Sequence, residues 1–332
     1  MPTITGTTGN DTITILTDTT SVQAGAGTDT AVFTGDYSDY TFSQSDSYVS
    51  ILTNDTSGQA VSLYDVELLQ FDDVLFGLSV DDSGEFQVNT YTDGWQQSPS
   101  ITALSDGGFV VTWQHNFINA ISAQRYDANG NAVGDEFHVN TYESYPKINS
   151  STTTLSDGGF VVTWQSYRQE DGNDFDYGIY AQRYNADGTV NGSEFQVNTY
   201  TLSYNYPDIP TYPDISSLSD GGFVVAWQSY NQNGSVYGIY AQRYDANGDA
   251  NGTEFLVNIY TSYSKAQTSP SITALSDGGF VVTWYSLYDI FAQIYNADGT
   301  VNGSEFVVNT YTSDLQSYPD ITALRDGGFV IT

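Results

Sequence analysis

The sequence predicts an all-β protein, and three observations support this prediction. A unit of about 50–60 residues recurs through residues 84–332, each copy is enriched in aromatic and β-branched residues, and no stretch shows helical periodicity. Repeats of this length that hold four strands each are typical of β-propeller blades, whose sheets stack face to face around an axis. A linear string of small β-sandwiches is the runner-up, and it is disfavoured because one such unit buries too little surface to fold alone.

Each repeat contains four predicted strands. In order, their signatures are Ile-Thr-Ala-Leu, Phe-Val-Val-Thr-Trp, Ala-Gln-Arg-Tyr and Glu-Phe-x-Val-Asn; Ser-Asp-Gly-Gly joins the first two, and Ala-Asn-Gly or Ala-Asp-Gly joins the last two. The repeats start near residues 85, 136, 194, 254 and 305, and the last one is incomplete. Because the chain stops at Thr332, before the expected Trp, we predict that the array continues. The alternative is that the strand at Glu85 completes a three-stranded fifth blade.

The lengths of the connections predict one regular and one variable face of the propeller. The first and third connections are short turns, whereas the second and fourth vary in length and would share the opposite face. Tyrosine, whose rigid ring and polar tip suit the stacking of sugars, is concentrated in these variable loops. We select six candidate ligand-binding residues there, with simple covering of the blades as the alternative: Tyr167, Tyr177, Tyr204, Tyr206, Tyr230 and Tyr237.

The composition excludes several classes of function. The chain has 7 Lys and Arg against 40 Asp and Glu, a net charge of −33, so its surface repels nucleic acid and anionic lipid and attracts divalent cations such as Ca2+. It has no Cys and only 2 His, which leaves almost nothing from which to build thiolate, zinc or Ser-His-Asp sites. It also lacks an apolar run of about 18 residues. We therefore expect no nucleic-acid partner and no membrane insertion, and we also expect the protein to be a monomer.

Residues 1–80 depart from the repeat pattern and predict a calcium β-roll-like module. Segments 6–14 and 24–32 each fit most of the calcium-binding nonapeptide G-G-x-G-x-D-x-U-x, and starts 18 residues apart would stack them on one side of a roll. Backbone carbonyls and two facing carboxylates would then form an all-oxygen shell for Ca2+. The candidate metal residues are Gly6, Thr8, Asp11, Gly25, Gly27 and Asp29; ordinary Asp-containing turns are the alternative.

These N-terminal motifs resemble the module that accompanies RTX (repeats-in-toxin) calcium rolls in secreted bacterial proteins. The resemblance rests on the two nonapeptides and on segments 29–33, 39–42 and 65–73, and the repeats from residue 84 resemble arrays found in large RTX-type surface proteins. It implies export by a type I system without a cleaved signal peptide, folding on external calcium, and an extracellular or cell-surface location.

The polar residues that recur in every repeat are predicted to be structural. The Asp of each Ser-Asp-Gly-Gly turn is expected to cap its own turn. The Arg of each Ala-Gln-Arg-Tyr strand is expected to pair inside its blade, with the repeated Glu as the suggested partner. The acidic run of Glu170, Asp171, Asp174 and Asp176 is expected to be a solvated loop.

Together these patterns predict an extracellular, calcium-binding, adhesin-like protein whose propeller face binds a glycan or another surface polymer. A structural spacer that binds nothing is the alternative. Propellers also host glycosidases, whose paired carboxylates should occur in selected blades only. Because no unique acid is recognised at a matched core position, the sequence predicts that the protein is not an enzyme.

Overall fold

The chain divides into two compact units, Met1–Gln87 and Val88–Thr332. The computed structural model describes residues 3–16, 21–25, 29–36, 39–45, 49–54, 60–64, 66, 68–71, 75–77, 86–116, 118–167, 169, 177–199, 211–230, 232, 237–259, 266–311 and 313–332. The regular elements in these ranges are strands, which confirms the all-β prediction. No helix in this part of the chain is long and apolar enough to cross a membrane.

The N-terminal unit is built from two sheets. Its strands are β1 (Thr3–Thr5), β2 (Thr12–Thr14), β3 (Ser21–Gln23), β4 (Thr30–Val32), β5 (Tyr40–Ser45), β6 (Val49–Asn54), β7 (Ala60–Tyr64), β8 (Leu68–Gln70) and β9 (Leu75–Gly77). One sheet has the order β1-β3-β7-β6-β5 and the other has the order β2-β4-β8-β9.

Strands that lie 18 residues apart pair in parallel in both of these sheets. Ile4 pairs with Val22, and Ile13 pairs with Ala31. In β1 and β2 the isoleucine stands between two exposed threonines, so one side of each short strand faces the core. This arrangement places the two nonapeptide segments on neighbouring parallel strands.

The C-terminal unit consists of four four-stranded antiparallel sheets and a final strand pair. In the order of the chain, the sheets contain β10 (Gln96–Ala103), β11 (Phe109–His115), β12 (Ala120–Tyr126) and β13 (Ala132–His138); β14 (Lys147–Thr154), β15 (Phe160–Tyr167), β16 (Tyr177–Tyr184) and β17 (Val190–Gln196); β18 (Asp214–Ser217), β19 (Phe223–Tyr230), β20 (Tyr237–Tyr244) and β21 (Phe255–Leu256); β22 (Gln267–Ala274), β23 (Phe280–Ser286), β24 (Asp289–Tyr295) and β25 (Val301–Val307); and β26 (Ile321–Ala323) with β27 (Phe329–Ile331). Each sheet is a meander of consecutive strands, as the repeat predicts.

Neighbouring sheets pack face to face. Phe160 of the second sheet packs in one core with Val110 of the first, and Phe223 of the third sheet packs with Val161 of the second. The same contact recurs between the third and fourth sheets. Because each middle strand is covered on both sides, β15 and β19 are buried along almost their whole length. This is the packing of β-propeller blades.

Two predicted strands differ from expectation. Residues 86–89 form no strand, and Glu85 itself lies outside the described residues; the chain holds no Ala-Gln-Arg-Tyr segment before residue 85 that could pair with them. The outer strand of the third sheet is short: Ala250 makes only an isolated bridge to Tyr244, at the position where the second sheet starts its strand with Val190 and the first sheet with Ala132.

Candidate active site

The first strands of the five sheets line one cavity of about 800 Å³. In each sheet the cavity wall begins with a residue in the left-handed conformation, with φ of 40–55°: Ser98, Asn149, Tyr212, Ser269 and Tyr318. A break in the strand register follows in β10, β14 and β22. Such bulges re-aim the side chains that come after them, and the left-handed residue, which recurs in all five sheets, defines one matched position in each.

The residues two positions after the left-handed ones form what we call the inner ring: Ser100, Ser151, Asp214, Ser271 and Asp320. The ring is serine in the first, second and fourth sheets and aspartate in the third and fifth. Its acids therefore break the symmetry of the repeat. The prediction that no unique acid occupies a matched core position is wrong, although the signal was present: segments 98–101 and 269–272 read Ser-Pro-Ser-Ile, whereas segments 212–215 and 318–321 read Tyr-Pro-Asp-Ile.

Asp214 is bonded on both carboxylate oxygens. Oδ1 accepts hydrogen bonds from Ser151 Oγ at 2.6 Å and from its own neighbour, Ile215 N, at 3.0 Å. Oδ2 accepts from Ile272 N at 2.9 Å and lies 3.1 Å from Ser271 Oγ. Burial raises the pKa of Asp214, and these donors oppose the rise only in part. Asp214 lines the cavity and keeps partial access to it, so it is a carboxyl group that retains its proton to higher pH than an ordinary Asp.

Asp320 is the second carboxyl group of the inner ring and is exposed on the cavity wall. Its Oδ1 lies 3.3 Å from Ser271 Oγ, the same hydroxyl that contacts Asp214. Asp214 Oδ2 and Asp320 Oδ1 both contact this one hydroxyl oxygen, at 3.1 Å and 3.3 Å, so the distance between them cannot exceed the sum of these two distances. A half-buried and an exposed carboxyl group thus share one small site.

Two tyrosines accompany the two aspartates. Tyr212 and Tyr318 both line the cavity, each two residues before its aspartate. Burial raises the pKa of Tyr212, with a smaller contribution from Tyr318, so the two phenols lie within electrostatic reach of each other. The rest of the described lining is made of Ser, Thr, Asn, Pro and Ile, without a Lys, Arg or His. Hydroxyl groups, aromatic rings and acids suit an uncharged polyhydroxyl ligand better than an anion.

The predicted ligand-binding tyrosines lie elsewhere. Tyr167 and Tyr177 are cross-strand neighbours whose ring centres are 4.9 Å apart, and Tyr230 and Tyr237 form the matching pair in the next sheet at 5.1 Å. None of these four is among the residues described as lining the cavity. The remaining two, Tyr204 and Tyr206, lie outside the described residues. A role for the two pairs in binding stays a prediction.

The predicted calcium residues adopt the geometry of stacked turns. Asp11 Oδ2 accepts hydrogen bonds from Thr7 N at 2.5 Å and Thr7 Oγ1 at 2.9 Å, and Asp29 Oδ1 accepts from Asp11 N at 2.7 Å. A Cβ atom on Gly6 or Gly25 would stand 2.2 Å from a carbonyl oxygen of the adjacent turn. The two glycines are therefore fixed by close backbone approach.

The remaining residues of the predicted metal site, Thr8 and Gly27, add no support for a bound ion. Thr8 is exposed, and Gly27 lies outside the described residues. Among the described residues, no group of three or more Asp, Glu, His or Cys side chains could hold a metal ion. The two aspartates and the nearby carbonyls are oxygen donors, the chemistry that Ca2+ prefers. Calcium binding stays a prediction.

The repeated polar residues are structural, as expected. The turn aspartates Asp106, Asp157, Asp220, Asp277 and Asp326 each accept a hydrogen bond from the amide two residues on, at 2.8–2.9 Å. The suggested partner of the repeated Arg is wrong, because Arg125 lies 3.6 Å from Asp106 and donates to Ala186 O of the next sheet. The repeated Glu instead accepts hydrogen bonds from the preceding repeat, as between Glu136 and Thr90 N at 2.8 Å. The run at 170–176 lies outside the described residues.

No protein-family model matches the chain, and no curated protein is similar to it. Among solved structures, the chain is similar to an α-L-arabinofuranosidase from Fusarium graminearum in complex with an iminosugar inhibitor, at 10% identity and a TM-score of 0.52 over 73% of this chain and 76% of that one. The chain is also similar to an α-L-arabinanase from Penicillium chrysogenum complexed with arabinobiose, at 13% identity and a TM-score of 0.51 over 71% of this chain and 74% of that one. A third similar structure is a protein of unknown function from Dyadobacter fermentans, at 10% identity and a TM-score of 0.51 over 71% of this chain and 74% of that one. These similarities show the β-propeller fold.

The prediction of a non-enzymatic adhesin or spacer is wrong. It depended on the absence of a unique acid at a matched core position, and Asp214 and Asp320 are two such acids in one cavity. The propellers that the chain resembles include an arabinofuranosidase and an arabinanase. Glycoside hydrolysis canonically uses a pair of carboxyl groups, whereas surface attachment does not require one.

Proposed function

We propose that the protein is a glycoside hydrolase that cleaves neutral, arabinose-containing glycans in its central cavity. The observation that supports this most directly is the pair of inner-ring aspartates, which occurs in two sheets out of five and is joined through one serine. The described residues that line the cavity include acids and hydroxyl groups but no Lys, Arg or His side chain, which disfavours the binding of anionic sugars. The named activities of the similar propellers supply the sugar class.

The two carboxyl groups have the environments that the two halves of the reaction need. Breaking a glycosidic bond requires a proton for the leaving oxygen and a carboxylate for the anomeric carbon or for an attacking water. Asp214, whose pKa is raised by burial, is suited to hold and donate the proton. Asp320, exposed on the wall, is suited to act at the anomeric carbon.

The test is hydrolysis of linear arabino-oligosaccharides and arabinan by the whole chain, with product chromatography. Asp320→Ser installs the residue that three of the five sheets carry at the inner ring. It should therefore fold normally and lose at least about 100-fold in rate. Asp326→Ser, which changes a turn aspartate of the same sheet, is the matched control and should keep its rate. Absence of hydrolysis in the unchanged protein, or full activity in Asp320→Ser, would contradict the proposal.

We also propose that the N-terminal unit binds Ca2+ through Asp11, Asp29 and carbonyl oxygens of the Gly-containing turns. The parallel pairing of strands 18 residues apart supports this, because it stacks the two nonapeptides as a calcium roll would. With the RTX-like motifs it also supports secretion without a cleaved signal peptide and an extracellular location, where glycan polymers are available. The protein would act there as a monomer.

A further inference from the structure

The hydrogen-bonding capacity of Ser271 constrains the protonation of the two aspartates. Its Oγ lies 3.1 Å from Asp214 Oδ2 and 3.3 Å from Asp320 Oδ1, and Ser271 is almost fully buried. A serine hydroxyl carries one proton and can donate to one of the two oxygens. If both carboxyl groups were ionised, the second contact would set an oxygen lone pair against a carboxylate oxygen.

One added proton satisfies both contacts. With that proton on Asp214, its Oδ2–H donates to Ser271 Oγ, and Ser271 Oγ–H donates to Asp320 Oδ1. No charge remains without a hydrogen bond, and the repulsion between two neighbouring carboxylates is removed. The same three groups can reverse direction: Asp214 gives its proton to Ser271, Ser271 gives its own to Asp320, and the net result is one proton moved between the carboxyl groups with no change in total charge.

We propose that Ser271 is a positioning residue that makes Asp214 and Asp320 share a single proton, so that the inner ring rests with one acid and one carboxylate. The proposal refines the proposed hydrolase function, since that reaction needs one group of each kind. Ser271 need not touch the substrate. It fixes which proton count the pair adopts, and it lets the proton return after each turnover.

The groups that surround Asp214 and Asp320 do not take part in the exchange of the shared proton. Ser151 Oγ and the amides Ile215 N and Ile272 N face Asp214, and all three donate. Tyr212 and Tyr318 are the other titratable groups in the described cavity lining. A tyrosine is ordinarily neutral far above the range in which carboxyl groups titrate, and burial raises the pKa of Tyr212 further. The tyrosines therefore do not supply the proton that the aspartates exchange.

The test is a carbon-13 NMR titration of the two carboxyl carbons in the whole chain, with Asp320→Asn used for assignment. The unchanged protein should titrate in two well-separated steps to which both signals respond. Ser271→Ala removes the hydroxyl and destabilises the singly protonated pair relative to its neighbours on either side. The upper step should then fall and the lower step should rise, narrowing their separation by about one pH unit. Ser271→Thr, which restores a hydroxyl, should restore the separation.

Ser151→Ala is the matched control, because Ser151 donates to the other oxygen of Asp214. Loss of that donor disfavours ionised Asp214, so the upper step should rise, opposite to its change in Ser271→Ala. An unchanged separation in Ser271→Ala, or equal shifts in both serine variants, would overturn the proposal. The titration does not depend on hydrolysis. If the chain proved inactive on glycans while the steps behaved as described, the proposed function would fail and the shared proton would stand.

Discussion

At the scale of single residues, burial and hydrogen bonding act in opposite directions on the pKa of Asp214. Burial raises its pKa, while hydrogen bonds from Ser151, Ile272 N and Ile215 N stabilise the ionised form. The same bonds tie the first strand of the third sheet to those of the second and fourth. The carboxyl group is therefore part of the framework of the cavity as well as part of its chemistry, whereas Asp320 is exposed and less constrained.

This difference predicts that the two aspartates contribute unequally to stability. Asn at position 214 has one acceptor oxygen, so its amide N–H2 would face the amide of Ile215 or that of Ile272. A buried donor left without a partner costs about 1–3 kcal/mol, and Asp214→Asn should lose that amount of unfolding free energy in urea at neutral pH. Asp320→Asn, in the same assay, should change it by less than about 0.5 kcal/mol. Equal losses would show that Asp214 does not brace the cavity.

At the scale of elements, links between neighbouring sheets hold the blades in place. Arg183 of β16 is almost fully buried; its Nη2 donates to Ala246 O at 2.8 Å, its Nη1 donates to Asn247 O, and both carbonyls belong to a turn of the next sheet. Nη2 also lies 3.9 Å from Asp157 of its own sheet. The repeated Glu makes a second link, as from Glu194 to Thr141 N at 2.8 Å. Each of the first three sheets is thus bonded to the next at two separate points, through its Arg and through the Glu of the following repeat.

Loss of one such link should weaken the whole propeller. Arg183→Ala removes a planar guanidinium that reaches two carbonyls, and the expected loss is about 1–3 kcal/mol of unfolding free energy. Arg183→Lys should recover only part of it, because an ammonium group cannot span both acceptors. Arg325→Ala is the control, since Arg325 is exposed in the turn between β26 and β27. Thermal unfolding that is the same for Arg183→Ala and Arg325→Ala would argue against a link between blades.

The elements were more predictable from the sequence than the site. Hairpin turns and alternating apolar residues recur with the repeat, so each strand is indicated several times. The inner-ring acids depend on which strands meet in space: Asp214 and Asp320 are 106 positions apart, and only the arrangement of the sheets brings both to Ser271. Ser271 itself looks like any repeated serine. The sequence signal was the exchange of Ser for Asp inside an otherwise repeated segment.

At the scale of the whole molecule, the net charge of −33 means that calcium can stabilise the protein in two ways, by general screening of charge and by binding at a specific site. Any cation screens repulsion between carboxylates and favours the compact state. A specific site instead stabilises only the unit that contains it, by an amount that depends on the free ion concentration and on the dissociation constant. The two compact units, Met1–Gln87 and Val88–Thr332, provide the means to separate these effects.

Calcium should therefore raise the unfolding temperature of the N-terminal unit more than that of the propeller. Calorimetry of the whole chain in millimolar-range Ca2+ should resolve this, with NaCl of equal ionic strength correcting for screening. Combining Asp11→Ala with Asp29→Ala removes both proposed carboxylate ligands. This double variant should lose the selective shift and one bound ion in a binding titration, and residues 1–35 should become less ordered. Asp36→Ala, a nearby acid outside both nonapeptides, is the control. If calcium shifted both units equally, or if the double variant kept its ion count, the charge of the chain would account for the effect without a site.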